Sequence, residues 1–216
     1  MFDDPLLIVV GMGLLGLIPF VAVMATTFVK ISVVMMLIRN AMGIQQIPPN
    51  MTMHGLALIL SMFIMAPIGI QTFELLEQQN LDIANMDTRT LLTTLDGAAG
   101  PYRTFLHKHS SDQEKAFFIS TAHQLWPKEY ADTVTADSLL VLIPAFTISE
   151  LTSSFEVGFL LYLPFIAIDL IISNILLAMG MMMVSPMTIS LPFKLLLFVL
   201  LDGWTRLIHG LVLTYQ

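Results

Sequence analysis

Four apolar runs of membrane-spanning length dominate this sequence, and they leave few choices of secondary structure. The runs cover residues 5–38, 51–73, 155–183 and 187–212. A helix needs about 20 apolar residues to cross the hydrocarbon of a bilayer, where each backbone N–H and C=O must be bonded within the protein. The runs therefore predict an all-α, membrane-protein-like fold with two helical hairpins.

The distribution of charge divides the chain into three parts. Of the 216 residues, 56% are hydrophobic and 12% are charged, whereas about 25% of a soluble domain is charged. Fifteen of the 25 charged residues lie within residues 74–138. We therefore predict a first helical hairpin in residues 1–73, a polar helical insert in residues 74–138, and a second helical hairpin in residues 139–216.

Prolines fall inside or beside all four runs and indicate kinked or interrupted helices. They are Pro19, Pro67, Pro164 and Pro192. Proline removes a helical hydrogen bond and clashes with the preceding turn. In the first hairpin, Gly43 can end a helix and Pro48-Pro49 prevents its continuation. The turn of the second hairpin, at residues 184–186, is shorter.

The polar insert has apolar residues at helical spacing, which indicates short amphipathic helices. Ser111 and Glu114 fit a capping box, and Pro127 ends the helix that would follow it. The predicted apolar stripe of this helix is Phe117, Phe118, Thr121, Ala122 and Leu125. About 65 helical residues provide too little core to fold alone with confidence, so we expect the insert to pack on neighbours. Residues 139–149 form a shorter apolar stretch, broken by Pro144, that leads into the second hairpin.

The two bases near the first turn indicate the orientation in the membrane. Lys30 and Arg39 lie near the connection between the first two runs. Short loops rich in lysine and arginine stay in the cytoplasm, whereas long loops cross largely regardless of charge. The insert is therefore expected on the periplasmic side. The run at residues 5–38 is longer than the apolar region of a signal peptide, so we expect it to be a retained span.

Apart from Asp3 and Asp4 at the start of the sequence, eight charged residues lie within the two apolar parts, where a charge is costly unless it meets a partner or water. They are Lys30, Arg39, Glu150, Glu156, Asp169, Lys194, Asp202 and Arg206. Four are basic and four are acidic, so all could form inter-helix or inter-subunit pairs. Two other interpretations stay open: a proton or ion relay centred on Asp169, and extension of Lys30 and Lys194 towards the membrane surface.

Three consecutive methionines, Met181, Met182 and Met183, lie between Gly180 and Pro186. Neighbouring positions of a helix point about 100° apart, so three adjacent side chains cannot share a helical face. If all three project into one space, the backbone must be broken there, and broken backbone at membrane depth is tolerated where it lines a cavity. A pore or gate fits this pattern, because methionine repacks easily. With 16 methionines in the chain, ordinary packing is the alternative.

The sequence offers no signature of catalysis or of cofactor binding. Serine-hydrolase and zincin motifs are absent, and the chain has no cysteine. The histidines do not complete a zinc-binding set. Net charge is −7, and no basic face is available for a phosphate backbone. We therefore predict that the protein is not an enzyme, holds no cofactor or metal, and does not bind nucleic acid.

Several stretches of the sequence resemble one protein family, in order and along essentially the whole chain. They are residues 28–34 (FVKISVV), 38–50 (IRNAMGIQQIPPN), 180–186 (GMMMVSP) and 201–204 (LDGW). They are similar to the SctR (YscR) family, export-apparatus subunits of type III secretion systems related to flagellar FliP. The chain resembles the virulence-type injectisome branch, because the cleavable leader of the flagellar branch is not recognised here.

The resemblance implies an assembly rather than a single working chain. Members of this family form a pentamer that joins SctS and SctT subunits in a helical, funnel-like ring, which associates with SctU and SctV. The assembly belongs to the bacterial inner membrane and projects to the periplasmic side. The family's methionine gasket corresponds to Met181, Met182 and Met183, which would line the closed pore.

The resemblance and the methionine argument lead to the same functional prediction. The chain is expected to be a core pore-forming subunit of a type III secretion export gate, conducting unfolded protein substrates across the bacterial inner membrane. The main alternative is a small multi-pass proton-coupled transporter in which Asp169 titrates. A scaffold with no conduit of its own is a third possibility.

Overall fold

The computed structural model describes residue 16, residues 23–44 and 46–78, residue 94, and residues 96–216. The helices with defined bounds are α1 (Phe28–Ala41), α2 (Asn50–Gln78), α3 (Gly100–His109), α4 (Asp112–Leu125), α5 (Lys128–Ala131), α6 (Leu139–Ala178), α7 (Pro186–Leu200) and α8 (Gly203–Leu213). No strand occurs in these described parts of the chain. The predicted all-α class is confirmed.

Among the described helices, α2 and α6 are each long and apolar enough to cross a membrane. Helices α7 and α8 together make a third candidate, bent by 60° at the break between them. These helices coincide with the second, third and fourth apolar runs. The retained first span was predicted in residues 5–38, but residues 5–22 lie outside the described part of the chain except for Gly16.

The prolines do not interrupt the described helices in which they lie, and whether they kink them stays a prediction. Helices α2 and α7 continue through Pro67 and Pro192, because a proline removes one hydrogen bond without necessarily ending a helix. The fourth run breaks instead at Asp202, whose φ of 50° is left-handed. Residues 139–149 lead into the second hairpin as the first turns of α6, and the predicted break at Pro144 is wrong because the helix continues through it. The two predicted turns are confirmed, since α1 ends shortly before Gly43 and α6 shortly before Gly180.

Contacts group the described residues into two compact units, and each unit is discontinuous in sequence. One unit takes the residues up to Val29 together with Met62–Glu150, and the other takes Lys30–Ser61 together with Leu151–Gln216. Membership of a unit follows packing, whereas the predicted division into residues 1–73, 74–138 and 139–216 follows polarity along the chain. That division stays a prediction.

The first unit has a core between α3 and the start of α6. Leu106, Leu142 and Phe146 are completely buried there. Beside them, the hydroxyl of Tyr102 donates a 2.6 Å hydrogen bond to the carbonyl oxygen of Ala25. Burial raises the pKa of Tyr102 to about 12, because loss of hydration disfavours the phenolate. The hydroxyl therefore remains a donor at physiological pH and ties α3 to the segment before α1.

Helix α4 begins and ends where the sequence predicted, but its details differ. Ser111 is the N-cap residue, yet its side chain makes no capping hydrogen bond. Its backbone N–H instead donates to the hydroxyl of Ser149 on α6, at 2.9 Å. Within the predicted apolar stripe, Ala122 is buried, whereas Phe117 and Leu125 are 55% and 75% exposed in this chain, so the packing of the stripe on neighbours stays a prediction. A contact from another helix has replaced the predicted local capping box.

We expect Ser149→Ala to destabilise the first unit by about 1 kcal/mol, because it removes the acceptor for a helix N-terminal N–H. Thermal unfolding of the detergent-solubilised chain, with amide exchange at Ser111, measures the effect. Ser120→Ala is the matched control, since the exposed Ser120 hydroxyl bonds only to the carbonyl oxygen of Phe117 in its own helix. Equal stability of the two variants would contradict the assigned cap.

The second unit packs α1 closely against α6. The buried face of α1 carries Ile31, Val34, Met35 and Ile38, each at most 2% exposed. A Cβ added at Gly158 of α6 would clash with the side chain of Leu37. Glycine at this position therefore allows the two helices to approach closely, as small residues do at helix interfaces in membranes.

Candidate functional site

The connection between α6 and α7 carries the three consecutive methionines. Helix α6 closes with Gly180 in the left-handed conformation, at φ 73°. The N–H of Gly180 donates to the carbonyl of Leu177, and the N–H of Met181 donates to that of Leu176. These two bonds form a Schellman motif, in which glycine accepts the positive φ that other residues resist. The backbone break predicted between Gly180 and Pro186 is confirmed.

Beyond the Schellman motif the chain makes a hydrogen-bonded turn with two of the methionines at its tip. The N–H of Val184 donates to the carbonyl of Met181 at 3.3 Å. Met182 and Met183 are the two central residues of this turn, and Pro186 starts α7 just beyond it. We refer to residues 181–183 as the methionine turn.

All three side chains of the methionine turn face away from the protein. Met181 is 41% exposed, Met182 is 81% exposed and Met183 is fully exposed. Ordinary core packing would bury thioether side chains, so the packing alternative receives no support from the isolated chain. The three side chains are therefore available for contacts outside the chain.

Asp169 and Lys194, two of the charged residues predicted to pair, form an ion pair with each other. Nζ of Lys194 on α7 donates to Oδ2 of Asp169 on α6, at 2.6 Å. The hydroxyl of Ser190 donates to the other carboxylate oxygen, also at 2.6 Å. The Lys194 side chain is 3% exposed and that of Asp169 is 37% exposed. The pair lies between α6 and α7, the helices that the methionine turn joins.

Lys194 also holds the end of α1. Its Nζ donates to the carbonyl oxygen of Ala41, the last residue of that helix, at 3.1 Å. Helix C-termini expose unpaired carbonyl groups and carry partial negative charge, so a cation is favourable there. We call the four residues Ala41, Asp169, Ser190 and Lys194 the lysine clamp, because together they join α1, α6 and α7.

The two buried basic residues of α1, Arg39 and Lys30, contact different kinds of group. Nη1 of Arg39 donates to the carbonyl of Pro48 at 3.1 Å and to Oδ1 of Asn50 at 2.6 Å. Arg39 therefore closes the connection from α1 to α2. Nζ of Lys30 lies 5.0 Å from the ring centroid of Tyr215, at cation–π distance.

The other four predicted charges divide by burial. Glu150 is 3% exposed, whereas Glu156, Asp202 and Arg206 are exposed. Asp202 is the left-handed residue that precedes α8. Which of these four pair with one another stays a prediction.

Sequence reasoning missed two members of the lysine clamp. Ser190 and Lys194 are four positions apart on α7, so they share a face, and that spacing could have marked Ser190 as a partner of Asp169. No sequence signal could have identified the Ala41 carbonyl, because it lies 153 positions from Lys194. Among the described residues, no group of three or more acidic or histidine side chains could hold a metal ion.

Comparison with protein families decides the kinship of the chain. The family described as the FliP family matches residues 11–211, which is nearly the whole sequence. This chain belongs to the FliP family. The lysine clamp and the methionine turn both lie inside the part matched to the FliP family.

Several FliP-family relatives are similar over almost their full lengths. "Yop proteins translocation protein R" of Yersinia pestis is 59% identical over 212 residues, which are 98% of this chain and 97% of the relative. "Hypersensitivity response secretion protein HrcR" of Ralstonia nicotianae is 50% identical, over 94% of this chain and 93% of the relative. "Virulence protein YscR" of Salmonella typhimurium is 48% identical, over 99% and 98%. The predicted kinship with the SctR (YscR) family is confirmed.

Proposed function

We propose that this chain is a core pore-forming subunit of a type III secretion export gate and conducts unfolded proteins across the bacterial inner membrane. The relatives are named for translocation, secretion and virulence, which supports a role in a secretion apparatus. The observation that carries the pore assignment is the methionine turn, where three apolar side chains are exposed on broken backbone between two apolar helices.

The methionine turn has the properties that a gasket requires. Its side chains are free of the chain's own core, so they can meet the same residues of neighbouring copies around an axis. Thioether side chains are flexible and polarizable, so a ring of them can seal an empty pore and can repack around different substrates when the pore opens. The Schellman motif and the lysine clamp fix the helices on which the turn stands.

The proposed assembly contains further subunits. A pentamer of this chain would join SctS and SctT and associate with SctU and SctV, with the assembled ring projecting to the periplasmic side of the inner membrane. The helices that could span a membrane support a membrane location. Energy and catalysis would come from other components, since the proposed role of this chain is that of a conduit.

The transporter alternative gains no specific support. It needs Asp169 to exchange protons with substrate or water, yet Ser190 and Lys194 already bond to both oxygens of that carboxylate. The export gate is therefore the better supported of the two functions.

The mass of the detergent-extracted complex tests the proposal. We expect native mass spectrometry to find a ring of about five copies that gains mass when SctS and SctT are co-expressed, because a head-to-tail contact between identical subunits forms a ring when its rotation closes. The chain expressed alone is the control for partner binding. A stable monomer or dimer that ignores both partners would overturn the export-gate assignment.

A further inference from the structure

The chain concentrates exposed thioether groups around the methionine turn. Five of its 16 methionines lie within the nine positions 179–187. All five are exposed, and Met183, near the tip of the turn, is fully so. By contrast, Met35, Met42 and Met53 are at most 2% exposed. The sequence contains no cysteine, so no thiol of this chain would consume an oxidant before the methionines do.

A thioether that solvent reaches is open to oxidation by peroxides. The sulfur attacks one oxygen of hydrogen peroxide, an S–O bond forms and the O–O bond breaks, and the products are one methionine sulfoxide and one water. The sulfur loses two electrons and the peroxide gains them. A thioether does not titrate in water, so differences in rate among methionines follow their exposure. The methionine turn is therefore a favoured place for oxidation, and Met51 at the start of α2 is a comparably exposed site outside it.

Oxidation makes the side chains of the methionine turn polar and leaves its backbone bonding unchanged. The hydrogen bond within the turn, from the N–H of Val184 to the carbonyl of Met181, joins backbone atoms alone. A sulfoxide oxygen accepts hydrogen bonds, and the sulfoxide group has no donor to offer in return. Copies of one oxidised turn that face each other would bring acceptor against acceptor, and a buried acceptor without a donor is costly. Oxidised turns would therefore exchange contact with one another for contact with water.

We propose that Met181, Met182 and Met183 are an oxidation site for peroxides, at which sulfoxide formation opens the seal to water and ions. This role rests on the proposed function, because only a turn that faces its copies across a closed pore has a seal to lose. Hydrogen peroxide is small and uncharged, so it reaches the turn from the water on either side of the closed pore. Methionine sulfoxide reductases return sulfoxides to thioethers, which makes the modification reversible.

Two measurements on the assembled, detergent-extracted complex, before and after dilute hydrogen peroxide, test this role. Peptide mass spectrometry follows sulfoxide at each methionine, and conductance in planar bilayers follows the leak. We expect sulfoxide in the methionine turn to form at least about tenfold faster than at the buried Met35, Met42 and Met53, because oxidation follows exposure. Conductance should rise several-fold over its value before peroxide, and treatment with methionine sulfoxide reductases should reverse the rise.

Leucine variants assign the leak to particular sulfurs, because leucine is apolar like methionine and cannot form a sulfoxide. The test variant replaces all three residues of the methionine turn by leucine, and its conductance after peroxide is divided by its own value before peroxide. We expect that ratio to be near one. The matched control combines Met24→Leu, Met51→Leu and Met62→Leu, which are exposed positions outside the turn. It should keep the wild-type ratio.

Three results would overturn the proposal. They are sulfoxide formation in the turn no faster than at the buried methionines, an oxidised turn without a rise in conductance, and an equal rise in the leucine variant of the turn. Replacing the same three residues by alanine separates these failures from failure of the gate. If the alanine variant leaks and the oxidised turn does not, the seal tolerates sulfoxide and the gate assignment stands. If neither leaks, the gate assignment fails as well.

Discussion

Lys194→Glu is expected to abolish most of the assembled complex. The substitution places a second carboxylate against Asp169 in a site where the lysine side chain is only 3% exposed. It also withdraws the cation from the Ala41 carbonyl at the end of α1. Breaking a fully buried pair by removing one partner costs about 3–5 kcal/mol, and we expect the lower end of that range here because the Asp169 side chain is 37% exposed; even that is a large fraction of the total stability of an ordinary domain. The yield of the detergent-extracted complex measures the loss.

Matched variants separate the charge effect from a general loss of lysine. Lys128→Glu makes the same change at an exposed position on α5 and is expected to leave the yield unchanged. The double variant Asp169→Asn with Lys194→Met removes both charges, and it should recover much of the yield because neither side chain then leaves an unpaired charge in the site. Wild-type yield of Lys194→Glu would instead mean that solvent reaches Lys194 in the assembled protein.

Changing Met181, Met182 and Met183 together to alanine is expected to make the closed assembly leak ions while its yield stays normal. The side chains are 41%, 81% and 100% exposed, so shortening them removes sealing volume and few contacts within the chain. Conductance of the assembled complex in planar bilayers, or swelling of cells that express it, measures the leak. We expect a several-fold rise over the wild-type protein.

The control for this triple variant carries three other alanines. Met24, Met51 and Met62 are also exposed, at 37%, 88% and 65%, and none lies in the methionine turn. Their replacement removes the same number of thioethers and should leave conductance at the wild-type level. A silent Met181–Met183 variant, with assembly intact, would count against the gasket and favour a scaffold role.

The sequence predicted those features that depend only on residues close together along the chain. Gly43 follows the end of its helix as expected, because left-handed closure of a helix favours glycine and needs only residues close in sequence. Gly180 closes α6 in the same way. The all-α class followed from the length of the apolar runs for the same kind of reason, since backbone groups in hydrocarbon must bond within their own segment.

Predictions failed where distant residues compete with local ones. The hydroxyl of Ser149 takes the N–H of Ser111 that the capping box would have used, and only the packing of α6 near α4 makes that acceptor available. The break at Asp202 rather than Pro192 has no sequence rule of comparable strength, because aspartate adopts a positive φ only occasionally. The Asp169–Lys194 pair was one of many pairings that eight charges allow.

The lysine clamp also has a consequence for how the protein is made. Ala41 leaves the ribosome long before Lys194, which follows it by 153 positions, and the second unit needs both Lys30–Ser61 and Leu151–Gln216. Until synthesis is nearly finished, the Ala41 carbonyl at the end of α1 has no contact with Lys194. The apolar face of α1 cannot pack on α6 before α6 has been made. Residues 30–61 therefore remain without most of their packing partners during synthesis, and the second unit can form only when the last helices are present.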